Sequence, residues 1–204
     1  MKFIRIFASK ALPMLFWILI MLAFDSPLVT VSTLLAALIH ECGHVAVSGI
    51  IQKGRFSLPH AVLTGLRLSP TRLLSYREEL LLALGGPLIN ILVFILLLPS
   101  FRYGSDYLSL FALLNLLTAL TNLIPISGYD GYRIIRSAVC PRLGDEKCEK
   151  IMSILSILFS EAAVFFSLFI IMKIGEGYWI FTVFFAVLLK EVLKSQERTN
   201  LENK

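Results

Sequence analysis

The segment LAALIHECGHVAVSGII, residues 35–51, places two histidines and a glutamate in an otherwise apolar run. On a helix, residues i and i+4 share one face a turn apart. His40 and His44 can therefore offer imidazole nitrogens to a single metal ion. Glu41 is offset by one position and lies outside that ligand stripe. Its carboxylate can take a proton from a water at the ion. Two ligands plus a general base is the HExxH arrangement of zinc-dependent hydrolases. Gly43 and Ala46 are small and leave room for a substrate or a neighbouring helix. Polar groups of this kind are costly inside a membrane and are usually functional there.

A catalytic zinc site takes three protein ligands and keeps one open position. His60 is the only other histidine, and its place in a polar loop suits a solvated side chain. Asp130, in NLIPISGYDGYRI, is the better candidate. If the second span starts on the outside near Leu28, His40 and His44 lie about 18–24 Å deep, at 1.5 Å per residue. A fourth span that starts near Tyr107 brings Asn122 to about 22 Å but would carry Asp130 to about 34 Å. The helix must therefore break if Asp130 is to bind. Pro125 and Gly128 lie between the two, where a break is expected.

The elements that must hold these residues are apolar helices. The 204 residues are 57% hydrophobic and 16% charged, well below the usual quarter of charged residues. Spans of roughly 20 apolar residues cross a bilayer, and six candidates fall at about 7–24, 28–51, 80–98, 107–126, 151–172 and 178–194. The expected fold is an all-α polytopic membrane protein of about six transmembrane helices. Its expected organisation is one transmembrane domain over 1–204, with a core at 28–135 and no soluble regulatory domain. A start with Lys2, Arg5 and Lys10 before an apolar run also resembles a signal peptide. The absence of a small-x-small site before Asp25 favours a retained helix. Asp25-Ser26-Pro27 reads as the capped start of the second helix.

The net charge of +5 does not point to nucleic acid, because topology accounts for it. Of the 19 lysines and arginines, all but Arg102 and Lys173 fall on one side of the six-span layout. The positive-inside rule makes that side cytoplasmic. A multi-pass protein of the cell membrane with cytoplasmic N- and C-termini is expected. Cys140 and Cys148 then lie in a cytoplasmic loop and should be reduced, and Cys42 reads as a small apolar filler.

HExxH in an early transmembrane helix, followed by N-x-x-P-x-x-x-x-D-G in a later one, resembles the site-2 protease family of intramembrane zinc metalloproteases. The residues are His40, Glu41 and His44, then Asn122, Pro125, Asp130 and Gly131. GGPLIN, with Gly86, Pro87 and Asn90, is similar to the family's third helix. Gly128 stands where many relatives have proline. The resemblance implies Zn2+ held by His40, His44 and Asp130, with Glu41 as base and Asn122 holding substrate or stabilising the oxyanion. The layout is similar to the compact bacterial branch, which includes the stage IV sporulation protease type. That type processes a membrane-tethered pro-sigma factor. An anti-sigma factor or signal-peptide remnants fit the same chemistry. The implied partners are a transmembrane protein substrate, the lipid bilayer and a membrane-bound regulator.

FSLPHAVLTGLRL, in the loop after the motif, has alternating elements and the breakers Pro59 and Gly65. A membrane-associated β-hairpin at 54–68 could hold a substrate by strand addition, and an interfacial amphipathic loop fits the residues equally well. Glu161, in FSEAAVFF, either lines an internal cavity or sits near a helix end bonded to a neighbour. Three other readings compete. A membrane metal transporter would use His40, His44 and Asp130 as a transport site, but no second ligand set marks an ion path. A hydrolase with its site on a soluble face would need an aqueous domain. A scaffold that only binds transmembrane segments would not need intact ligands and a base.

Overall fold

The computed structural model describes residues 19, 22–23, 25–51, 74–103, 106–174 and 178–202. Every regular element among them is helical: α1 (Pro27–Ile51), α2 (Tyr76–Leu97), the short α3 (Ser100–Tyr103), α4 (Asp106–Asn122), α5 (Asp130–Leu143), α6 (Asp145–Ile174) and α7 (Tyr178–Glu202). The expected all-α architecture is observed. The first expected span, the hairpin at 54–68 and His60 lie outside the described residues.

Among the described residues, three stretches, Pro27–Ile51, Tyr76–Tyr103 and Asp145–Lys173, are long and apolar enough to cross a membrane. The distribution of side-chain size agrees. Large apolar groups face outward, as with Ile50, Leu96, Phe165 and Met172, whereas the buried positions hold small or polar groups such as Ala36, Ala83, Ala112 and Ala119. Water would penalise so much exposed apolar surface. Lipid does not, and helices in lipid associate through small residues that allow close backbone approach.

The chain divides into two compact units, Met1–Thr121 and Asn122–Lys204. In the first, α1 begins as the sequence leads one to expect. The Ser26 hydroxyl accepts from the Val29 amide at 3.3 Å, and Pro27 is the first helical residue. A capping box starts α2: Ser75 Oγ accepts from the Glu78 amide, and the Glu78 carboxylate accepts from the Ser75 amide at 2.9 Å. The two helices pack closely at Gly43 and Gly85. A β-carbon at Gly43 would run into the Gly85 carbonyl and would stand 2.7 Å from Ile89 Cγ2.

In the second unit, α5 and α6 form a helical hairpin at Gly144, whose positive φ of 78° suits glycine. Arg136 Nε donates to Glu149 across this hairpin at 2.9 Å. Cys140 and Cys148 are joined by a disulfide, which corrects the expectation of two reduced thiols. That expectation rested on compartment alone. The hairpin places the last turn of α5 against the first turn of α6, with Cα atoms 5.2 Å apart, within bonding reach. Helix α5 is also new, because the six-span layout leaves the segment around Cys140 and Cys148 as a loop. Ile126, Ala163 and Phe184 form the buried core of the unit, with Tyr129 and Val187 packed against them.

Candidate metal centre

His40 and His44 are both buried on the inner face of α1. Their rings are 4.8 Å apart and nearly perpendicular. Each is held through Nδ1 by a group on α2. His44 Nδ1 lies 2.8 Å from the Leu82 carbonyl. A carbonyl can only accept, so this nitrogen carries the proton and leaves Nε2 as a bare lone pair. Pro87 has no N–H and leaves the Ala83 carbonyl of the same turn without its helical donor. His40 Nδ1 lies 2.9 Å from Asn90 Oδ1. The remaining bonds of the asparagine fix its orientation: Asn90 Nδ2 donates to the Ala36 carbonyl at 3.0 Å and to Asn115 Oδ1 at 2.8 Å. His40 Nδ1 must then be the donor, and its Nε2 is bare as well.

The two Nε2 atoms face each other at 3.2 Å. Two lone pairs at that distance repel unless a cation or proton lies between them. Nitrogens bound to one tetrahedral zinc at about 2.0–2.1 Å would be separated by about 3.3 Å. The pair therefore fits a shared metal ion. Gly86 supplies the space. A β-carbon there would stand 2.5 Å from His40 Nε2 and 2.6 Å from His44 Nε2, on the ground that the ion needs. Glu41 follows His40 on α1 and is half-buried.

In the second unit, the expected break in the chain is present. α4 ends at Asn122, α5 starts at Asp130, and the seven intervening residues are not helical. The fourth span is thus shorter than the expected 107–126. Pro125 is buried within this stretch. The Tyr129 amide then donates to the Ile126 carbonyl at 2.9 Å, closing a turn around Ser127 and Gly128. Gly128 has φ of 102°, as the third position of a type II turn requires. The Ser127 amide donates to Ser156 Oγ on α6 at 2.8 Å, anchoring the turn. Gly131 packs so tightly that a β-carbon would strike the Leu123 carbonyl.

Asp130 is buried at the first position of α5, where the helix dipole favours a negative charge. Arg133 Nη1 stands 3.6 Å from its carboxylate and supplies a counter-charge from the next turn. His40, His44 and Asp130 are all buried, and each offers one ligand atom of a type that zinc accepts. Asn122 is the half-buried last residue of α4. Glu161 lies on the exposed face of α6, not among that helix's buried serines.

Two supporting groups were not singled out from the sequence: the Leu82 carbonyl, which is backbone and leaves no signature, and Asn115. An asparagine inside an apolar helix is a signal of its own, because its amide must find partners there.

No family model and no curated protein matches the chain. Among solved structures, a site-2 protease from Methanocaldococcus jannaschii is similar over 92% of this chain and 88% of that one, with 22% identity and a TM-score of 0.61. The chain has the fold of a site-2 protease.

Proposed function

We propose that this chain is an intramembrane zinc endopeptidase that cuts a transmembrane or membrane-tethered protein. The observation that carries this reading is the pair of buried imidazoles with both Nδ1 atoms donating and both Nε2 atoms converging over Gly86. The site-2 protease fold supports it. The protease activity of that solved structure comes to this chain as part of the proposal.

In this reading His40, His44 and Asp130 hold one zinc ion. When bound, zinc supplies Lewis acidity to a substrate carbonyl and acidity to a water. Glu41 takes the proton of the attacking water and delivers it to the leaving amine. Asn122 donates to the substrate backbone or to the carbonyl oxygen as it gains charge. The break from Leu123 to Tyr129 suits a site that water must reach, because irregular backbone at membrane depth belongs beside an aqueous cavity. Residues 1–204 act as one protease domain with both termini in the cytoplasm, which the positive-inside charge pattern supports. Substrates of the sigma-factor-regulating class, under a membrane-bound regulator, fit this layout.

The test is the zinc content of the purified full chain in lipid. About one zinc per chain is expected in wild type. Asp130→Asn should weaken zinc about 10- to 100-fold or more, since losing a group that merely hydrogen-bonds a ligand already costs that much. If Asp130→Asn keeps wild-type zinc affinity, the third-ligand assignment is wrong.

A further inference from the structure

We infer that Asn115 on α4 is a positioning residue that determines which nitrogen of His40 is available to the metal. The inference rests on the metal reading above. Asn90 and Asn115 are both completely buried, although buried amides in an apolar helix bundle are expensive without partners. Their bonds form a single line. His40 Nδ1 donates to Asn90 Oδ1, Asn90 Nδ2 donates to Asn115 Oδ1, and Asn115 Nδ2 donates to the Phe111 carbonyl at 2.9 Å.

The line has a direction, and two backbone carbonyls set it. The Phe111 carbonyl can only accept, so Asn115 must turn its nitrogen toward it and its oxygen toward Asn90. The Ala36 carbonyl also accepts from Asn90 Nδ2, so the nitrogen of Asn90 faces away from His40. Reversing Asn90 would oppose its oxygen to the Ala36 carbonyl and to Asn115 Oδ1 together. It would also offer an N–H to His40 Nδ1, which would then give up its proton to Nε2. A protonated Nε2 cannot bind metal. Asn115 therefore supplies the second of two constraints that keep His40 in its ligand form. His44 needs no such device, because its Nδ1 is tied directly to the Leu82 carbonyl.

The expected consequences separate the two histidines. Asn115→Leu keeps similar bulk and removes the acceptor. It should let Asn90 reverse, place part of the His40 population in the Nε2–H form and weaken zinc by roughly tenfold, the lower end of the effect of losing a group that orients a metal ligand. Asn115→Asp, as the neutral acid, keeps an oxygen facing Asn90 and an O–H for the Phe111 carbonyl, and should hold the wild-type form. The readout is the ring-nitrogen spectrum of the metal-free full chain in lipid, labelled in its three histidines. Wild type should show protonated Nδ1 at both His40 and His44. In Asn115→Leu only His40 should change, and Asn115→Asp should restore it. A wild-type His40 whose Nδ1 carries no proton overturns the inference with no variant needed. So does an Asn115→Leu protein with unchanged His40 and wild-type zinc affinity. His40→Ala separates the two levels. If zinc binding survives it, the metal reading fails. If zinc is lost there but Asn115→Leu binds as wild type, only the positioning role fails.

Discussion

Replacing Gly86 by alanine adds one methyl group to the chain and places it between the two imidazoles. Its carbon would stand 2.5 Å from His40 Nε2 and 2.6 Å from both His40 Cε1 and His44 Nε2, far inside van der Waals contact. Imidazole rings can swing, so the cost depends on what holds them. His40 is tied to Asn90 and His44 to the Leu82 carbonyl, both in buried surroundings. Moving both rings breaks both bonds, and each broken buried bond costs about 1–3 kcal/mol. The total of about 2–6 kcal/mol corresponds to zinc binding weakened roughly 30-fold to 10⁴-fold, at 1.4 kcal/mol per factor of ten. The assay is chelator competition for zinc on the purified full chain, with helicity by circular dichroism to show that the fold persists. A folded Gly86→Ala protein with wild-type zinc affinity would refute the shared-metal geometry.

Gly128→Ala should destabilise the protein by about 1–2 kcal/mol, the cost of a side chain at positive φ. Nothing lies within 4 Å of the added carbon, so Gly128→Asn, which tolerates this backbone region, should cost less; equal losses in detergent unfolding would argue against the turn. Alkylation under denaturing, non-reducing conditions should modify Cys42 alone, with Cys140 and Cys148 protected until a reductant is added; alkylation of all three at once would contradict the disulfide.

The parts of this protein that could be read in its sequence were those with local causes. Ser26 and Pro27 announce the start of α1. The i, i+4 spacing puts His40 and His44 on one buried face of α1, and Pro125 with Gly128 announces the break before Asp130. Features that depend on pairing between distant segments were hidden. Asn90 and Asn115 meet 25 residues apart, and neither helix alone indicates which partner its amide will find. Helix α5 lies between two apolar spans and is too polar to read as one, and sequence does not show that Arg136 will bond Glu149 across a hairpin. The Cys140–Cys148 bond depends on the same hairpin closing at Gly144. The capping box that starts α2 at Tyr76 was legible in principle, as Ser75 followed three residues later by Glu78, but the hydropathy of the span beginning near residue 80 drew the boundary too late.

The central claim is that a proton-accepting carboxylate at position 41 drives peptide hydrolysis in the membrane. Its most direct test compares the membrane proteomes of host cells that express wild type or Glu41→Gln at equal level, together with the zinc content of each purified protein. Both proteins should hold zinc. A transmembrane protein should accumulate uncut in the Glu41→Gln cells, with its fragment present only in wild type. Matching proteomes across several growth conditions, in cells cleared of redundant proteases, would contradict the protease account and turn attention to metal transport.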